Sequence, residues 1–563
     1  MNESKWIINP IHPEANKLSN DLEIPIELAS ILIRKGIRTS EEGKKFLFPS
    51  IEDLHPPFLM KDMQKAVERI KKAKENNEKI LIFGDYDADG ITSTLILYKC
   101  LKNLGTNVFY YIPHRIKEGY GIKKSSLEYI EDYAPDLVIT VDNGIKAIDF
   151  VNEANKKGID VIIADHHVPG DELPPAFAVL NPLQRGCFYP FKNLAGVGVT
   201  FKLVQSLLQE FKKDKNVRHY LKIASIGTIA DLAELQGENR TIVKLGLKEL
   251  GNPYNNGLKN IIEISGLTGK EITTYDISFK IGPRINASGR LASPYIAIEL
   301  FLTESQEESL LKAKELDKLN TQRQQIEENI LKEIMDKIKE IEPQKRKILI
   351  FANEGWHRGV IGVVASKIAE KYRRPAILIS IDDNNGYGSG RSIESFSLID
   401  ALKSSEDLFK SWGGHKMAAG FEIQPSKIPL LEERLTEYCE THVDDEVFTR
   451  KYMIDSCINF DRIDNVFIDY LEMFSPFGIG NPRPVFFTDN VTIKEPPAIL
   501  KGKYLKLFLF KKNKFFDALI WENTEDYNNL KRGEKINIIF YPQRKYSKQT
   551  NEFFLNILDI KKI

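Results

Sequence analysis

Three aspartates fall within five residues in "ILIFGDYDADGITSTLI", at Asp85, Asp87 and Asp89. Alternating carboxylates beside a glycine suit a divalent cation, and two chemistries compete for them. Acids at positions 1, 3 and 5 with Gly90 at 6 also begin an EF-hand calcium loop. That loop needs a bidentate glutamate at position 12, where Ile96 stands, and a helix on either side, whereas "KILIF" reads as a buried strand. A catalytic cation at a strand end is the reading that remains. The same setting recurs along the chain. Asp142 ends "LVITVD", Asp165, His166 and His167 follow "VIIA", and Asp231 lies in "IASIGTIADLAEL", among small and apolar neighbours where an unpaired carboxylate is costly. One strand-end aspartate is usually a helix cap or turn residue, and one histidine usually a satisfied core residue. Three strand ends that deliver such groups to one sheet edge outweigh that plainer reading. Two divalent cations roughly 3.5–4 Å apart need a cluster of this kind, and aspartates with one or two histidines suit manganese or magnesium better than zinc.

The elements that must position these residues follow from the apolar pattern. From about residue 78 to 200, short apolar runs alternate with amphipathic stretches, as in a parallel sheet with crossover helices. A helical stretch over about 199–235 and mixed sequence to about 301 come next. Then "ESQEESLLKAKELDKLNTQRQQIEENILKEIMDKIKE" has helical spacing with neither glycine nor proline, and joins two bodies. A second α/β pattern begins at "KILIFANEGWHRG", and from about 450 short alternating strands read as an OB-type barrel. The fold expected is therefore α/β, two lobes joined by a long helix, with a C-terminal β-barrel. Its parts are a helical appendage (1–70), a catalytic domain (71–302), the helix (303–343), an associated domain (344–442) and the barrel (450–563).

With 563 residues the chain exceeds a single core, and 79 basic against 79 acidic side chains exclude a global positive field. No apolar run approaches the ~18 residues of a membrane span, and no leader is evident. Four scattered cysteines, Cys100, Cys187, Cys439 and Cys457, form neither a disulfide framework nor a zinc site. A soluble cytoplasmic protein is expected.

"DYDADG", "VDNG", "ADHH" and "GTIAD", in that order, resemble the four motifs of the DHH phosphoesterase superfamily, and "GGHKMAAGF" resembles the signature of the DHH-associated domain. "PHRIKEGYG", "IGPRINASGR", "EGWHRGVIGVVASKI", "GSGRSI" and "PFGIGNPRPVF" make the chain most similar to the RecJ family of single-strand-specific 5′→3′ exonucleases. The resemblance implies Mn2+ or Mg2+, as two ions, on Asp87, Asp89, Asp142, His166 and Asp231. Asp142 is the bridge, His167 faces the scissile phosphate, and Asp165 supports His166 with Asp85 nearby. Related pyrophosphatases carry histidine where Phe83 stands, so the first cation loses a nitrogen ligand and inorganic pyrophosphate is disfavoured as substrate.

Substrate handling is less legible. In "GSGRSI" the glycines around Ser389 suit close approach of amides to a phosphate, or simply a turn. The resemblance implies a pocket for the 5′-terminal phosphate formed by Ser389, Arg391 and Arg115. It also places His415 at the scissile or adjacent phosphate, with Arg284, Arg290 and Arg358 as backbone clamps or structural ion pairs. "KGKYLKLFLFKKNKFF" has six lysines and no acid, interleaved with Tyr504, Phe508, Phe510, Phe515 and Phe516, a strip suited to single-stranded DNA. Strand alternation turns half of those aromatics into the barrel core. "AGVGVT" is a partial dinucleotide fingerprint, and no ATP-binding loop exists. The function expected is release of 5′-mononucleotides from single-stranded DNA in recombination and repair. The expected enzyme is a monomer, partnered by a single-strand-binding protein and a helicase. A phosphodiesterase of short oligonucleotides or cyclic dinucleotides and a non-catalytic single-strand-binding scaffold are the rivals.

Overall fold

"KILIF", "LVITV" and "DVIIA" have no polar face, so each strand must be covered on both sides, and a parallel sheet clad by helices does this. The computed structural model describes residues 4–119, 121–253, 255–382, 384–500, 504–521, 524–527, 529–544 and 552–563. Five strands stand in the order Asn107–Tyr111, Lys79–Phe83, Leu137–Val141, Asp160–Ala164 and Ala178–Leu180, every neighbour parallel. Phe83 lies opposite Thr140 and Val141 opposite Ala164. The residues that follow these strands therefore emerge along one edge, where open parallel sheets bind ligands.

Helices Ala88–Asn103, Gly196–Glu210 and Arg218–Ala230 accompany the sheet. The single helical stretch expected over 199–235 is thus two helices. They are separated by the polar "FKKDKNV", in which Lys212 turns left-handed at φ 56°. The long helix spans Gln306–Lys339, its first turn capped by Ser305, which accepts from the Glu308 amide. It is anchored along its length. Its first half meets Glu299 through Lys312 and Arg284 through Asp317, and its far half buries Ile330, Ile334 and Ile338 against Val360, Val364 and Ile368.

The second sheet runs Phe409–Gly414, Ala418–Ile423, Asn385–Arg391, Ala376–Asp382, Leu349–Glu354, with only the last pair parallel. "GSGR" is neither a turn nor a loop here. It is the end of a central strand, with Ser389 opposite both Gly420 and Leu378, so its amides belong to the ladder and do not cradle a phosphate. Its glycines serve packing instead. A methyl on Gly388 would lie 2.1 Å from the Phe421 ring, and one on Gly390 2.6 Å from Leu398.

The chain folds as two compact units, Pro57–Asp231 with Glu249–Thr449, and Met1–Pro56 with Leu232–Lys248 and Arg450–Ile563. Both α/β lobes belong to the first. In the second, strands Phe486–Ile493, Lys535–Arg544, Phe553–Lys562, Lys514–Ile520 and Tyr504–Lys511 close on themselves through Thr492 opposite Phe510. The amino-terminal residues, expected as a separate appendage, share this unit. Leu28 and Leu32 lie in one core with Phe460, Phe486 and Phe540, and Lys5–Ile8 pairs with Lys451–Ile454. Buried Arg240 donates to the carbonyls of Phe46, Phe474 and Ser475.

On Tyr504–Lys511 the leucines at 505, 507 and 509 take the inward positions. Of the five aromatics in the basic strip only Phe516 is buried, fewer than strand alternation predicts. Phe508 and Phe510 face outward with Phe515, which stacks on Phe508 at 5.5 Å, and Lys494 Nζ stands 4.2 Å over Phe510. Lys501 and Lys503 of the strip, and Tyr120 of "PHRIKEGYG", lie outside the described residues. Among the described residues no helix is long and apolar enough to cross a membrane.

If the strand glycines serve packing, Gly388→Ala destabilises the protein by about 1–3 kcal/mol through overpacking on Phe421. Chemical denaturation checks this, and Mn2+ affinity measured on the folded variant should not change.

Candidate metal centre

Turn geometry delivers the acids to the sheet edge. Asp142 takes a left-handed backbone (φ 61°), uncommon for a residue with a side chain, and Gly144 follows at φ 104°, where a methyl would lie 2.5 Å from Thr140 Oγ1. Asn143 holds the turn against the neighbouring strand end, its Nδ2 donating to the Gly84 carbonyl at 2.9 Å. Asp87 caps the Ala88–Asn103 helix, Oδ1 accepting from the amides of Asp89 and Gly90 at 3.0 Å each. Its second oxygen is left to face the site.

Ligand-capable atoms of Asp85, Asp87 and Asp142 lie within 4.8 Å of one another, as do those of Asp89, His166 and Asp231, and those of Asp142, Asp165, His166 and His167. His166 Nε2 stands 3.2 Å from Asp142 Oδ1 and 4.0 Å from Asp231 Oδ2. All five expected ligands are thus brought together, and Asp142 adjoins both groups of acids. Asp85 is as close to the cluster as the others. One role changes. Asp165 holds the ring of His167, not His166: its Oδ1 takes His167 Nδ1 at 2.7 Å and meets only the backbone amide of His166. The main chain of Leu194 hydrogen-bonds His166 instead.

Two groups absent from the motif reading complete the site. The first amides of the Gly196–Glu210 helix bind Asp89, Gly196 N to Oδ2 at 2.8 Å and Val197 N to Oδ1 at 2.7 Å. A methyl on Gly196 would lie 2.2 Å from Asp142 Oδ1. "AGVGVT" is therefore a helix start pressed against two acids, using its partial positive charge. Glycines immediately before an apolar helical run were the available signal.

Burial, then repulsion from Asp87, pushes Asp85 up to about 8 and Asp89 up to about 7, the latter despite its two amides. Burial, with Asp89 and Asp87, holds Asp142 and Asp231 well above the carboxylate range. Burial and then His167 bring His166 down to about 4, so it is a neutral imidazole fit to coordinate. Burial would raise Asp165, but the His167 ring and charge bring it down to about 2, and Asp165 in turn raises His167 against burial. Mutually repelling carboxylate oxygens with one neutral nitrogen fit hard divalent cations, which relieve that repulsion.

A second site of opposite sign lies in the same unit. Burial and then the charges of Arg115, Arg391 and Arg323 push Arg290 down to about 9, while Asp87 opposes this. Burial and Arg115 likewise lower Arg391. Arg115 lies over the Tyr86 ring at 5.1 Å, and Arg391 Nη1 donates to Ser389 Oγ at 3.2 Å. The first turn of helix Ile361–Tyr372 adjoins them. A methyl on Gly362 would meet Ser389 Oγ at 2.8 Å and Arg391 Nη2 at 3.0 Å. Arg290 Nη1 itself donates to the Gly359 carbonyl. Arg284 is not available as a clamp, since Asp317 and the Lys280 carbonyl hold it. Arg358 lies over Tyr387 at 5.0 Å. His415, at the hairpin tip between Phe409–Gly414 and Ala418–Ile423, is lowered by burial and then by His167 and Lys146.

The raised carboxyls fix a pH dependence. Folded, they keep protons that the unfolded chain releases near 3.8, so the folded state binds more protons between 3.8 and about 8. Stability of the chelated protein therefore falls as pH rises through that window. Thermal unfolding in EDTA should show a falling Tm from pH 5 to 8, and saturating Mn2+ should flatten the slope.

Family models match in chain order: DHH family, N-terminal domain, over 79–228; DHHA1 domain over 318–441; RecJ OB domain over 454–559. The single-stranded-DNA-specific exonuclease RecJ of Bacillus subtilis is 37% identical over 539 residues, covering 95% of this chain and 68% of the relative. RecJ from Thermus thermophilus, solved in complex with Mn2+, matches 99% of this chain and 80% of its own with TM-score 0.85 and 29% identity. The same protein in complex with Mg2+ matches with TM-score 0.79 and 27% identity, covering 99% and 78%. With its three domains in order and nearly its whole length matched, the chain belongs to the RecJ family.

Proposed function

We propose that the chain is a metal-dependent, single-strand-specific 5′→3′ exodeoxyribonuclease that releases 5′-mononucleotides in DNA recombination and repair. The observation that carries this reading is the pairing, within one compact unit, of a buried acid cluster with Arg115, Arg290 and Arg391, none of which makes an ion pair with a carboxylate among the described residues. Asp87, Asp89, Asp142, His166 and Asp231 would hold Mn2+ or Mg2+, with Asp142 adjoining the other four and Asp85 beside them. When bound, the ions supply charge neutralisation at the scissile phosphate and acidify the attacking water.

The chain's own residues do the rest. Arg115, Ser389 and Arg391 take the 5′-terminal phosphate, for which the guanidinium fork is apt. Arg290 adds its charge from behind them. This end contact sets which phosphodiester reaches the acids. His167, held by ionised Asp165, keeps a proton close to the scissile phosphate, and His415 approaches from the hairpin tip. Water attacks phosphorus in line with the departing 3′ oxygen, releasing a 5′-mononucleotide. The shortened strand carries a new 5′ phosphate for the same arginines. On the barrel, Phe508, Phe510 and Phe515 with Lys494 and Lys506 form a face that stacks bases and tracks phosphates. The reading extends to a cytoplasmic monomer working with a helicase and a single-strand-binding protein. It keeps the division at 71–302, 303–343, 344–442 and 450–563; the matches over 79–228 and 454–559 fall inside the first and last of these, while that over 318–441 runs from the long helix into the associated domain.

Two outcomes test it. Asp142→Ala lowers cleavage of a 3′-labelled single strand on the order of 10³-fold and leaves strand binding intact in a gel-shift assay; retained turnover would remove the acids from the mechanism. Arg391→Ala and Gly362→Ala abolish the preference for a 5′-phosphorylated over a 5′-hydroxyl strand at unchanged Mn2+ affinity, read from initial rates on the two substrates.

A further inference from the structure

The first turn of a helix leaves four amides without an intrahelical acceptor. At the Ala88–Asn103 helix the Asp87 carboxylate takes two of them, Asp89 and Gly90, while the Asp87 carbonyl accepts the first intrahelical bond from Ile91 at 2.8 Å. Another of the four is the amide of Ala88, the residue between Asp87 and Asp89. It donates to Asn286 Oδ1 at 2.8 Å, across 198 positions of sequence. Asn286 belongs to helix Gly282–Leu291, "GPRINASGRL". That helix is seated hard against the acid loop: a methyl on Gly289 would lie 2.4 Å from the Tyr86 carbonyl oxygen. One on Gly282 would touch Ala230, the residue before Asp231, at 3.4 Å. The far end is pinned by Arg290 on the Gly359 carbonyl at 2.9 Å.

We propose that Asn286 is a positioning residue of the metal centre. By accepting the Ala88 amide it fixes the peptide on which Asp87 and Asp89 diverge, and so sets cation affinity while touching neither cation nor DNA. The inference rests on Asp87 and Asp89 being ligands. An amide oxygen suits the task because it is a neutral acceptor, adding no charge to a loop already crowded with carboxylates. Without it the Ala88 amide is left with water or nothing, and the peptide is free to rotate about the cap.

The test is Mn2+ binding to the full-length protein, followed by the electron paramagnetic resonance signal of free Mn2+. Asn286→Ala is expected to weaken binding about 10–100-fold, the usual effect of losing a residue that orients a ligand. Its affinity for single-stranded DNA in EDTA and its rate at saturating Mn2+ stay close to the native values. Asn286→Asp keeps an acceptor oxygen, though it adds the charge that the amide avoids, and is expected to bind Mn2+ more tightly than Asn286→Ala. Native affinity in the alanine variant would overturn the inference, as would lost DNA binding with Mn2+ affinity intact, which would make Asn286 a DNA contact. Asp87→Ala in parallel separates the two levels. If it too leaves Mn2+ binding unchanged, the ligand reading fails; if it alone weakens binding, only the role of Asn286 fails. Should the alanine variant not fold, Asn286→Ser, which withdraws the acceptor from reach, carries the same expectations.

Discussion

Buried like charges cannot all be ionised at once, and the architecture of the larger unit is organised around that constraint. Asp85, Asp87, Asp89, Asp142 and Asp231 converge where the parallel sheet ends, and burial with mutual repulsion raises four of them above the ordinary carboxylate range. What offsets this in the protein is modest. Two helix-start amides meet Asp89, two more meet Asp87, and left-handed backbone at Asp142 aims the central carboxylate. Divalent cations supply the remainder, so the site is built to be completed by its ions.

The arginine cluster is the mirror image of the same constraint. Burial and then the charges of Arg115, Arg391 and Arg323 lower Arg290, and burial and then Arg115 lower Arg391, as burial and neighbouring acids raise the carboxyls. Arg290 feels both clusters, through Asp87 on one side and Arg115 and Arg391 on the other. Under the proposed function, a strand would set its 5′-terminal phosphate on the guanidiniums and a following phosphate at the acids, and the direction of digestion would follow from that end contact. Helix Gly282–Leu291 touches both sites: Asn286 accepts from Ala88, Gly289 seats on Tyr86, and Arg290 donates to the Gly359 carbonyl.

Much of this was legible in the residues. Apolar runs ending in Asp85, Asp142 and Asp165 locate strand ends, and the parallel-sheet rule places strand ends together, so the acid cluster follows from local pattern and one topological principle. The ion type follows from donor chemistry. What stayed hidden depends on pairings between distant segments. Nothing local in "GSGR" distinguishes a phosphate turn from a strand whose glycines make room for Phe421 and Leu398. The reach of Asn286 to Ala88, the seat of Leu28 and Leu32 in the barrel core, and the choice of His167 over His166 as partner of Asp165 are likewise tertiary facts. The barrel aromatics face outward because the leucines at 505, 507 and 509 fill the inward positions, which alternation among the aromatics alone does not reveal.

The measurement that bears most directly on the account is anomalous diffraction at the manganese absorption edge from crystals grown with Mn2+. The account predicts two peaks at the sheet edge, one between Asp87 and Asp142 and the other among Asp89, His166 and Asp231, with an oxygen of Asp142 shared. A single peak away from Asp142, or manganese held elsewhere while the five residues stay apart from it, would contradict it.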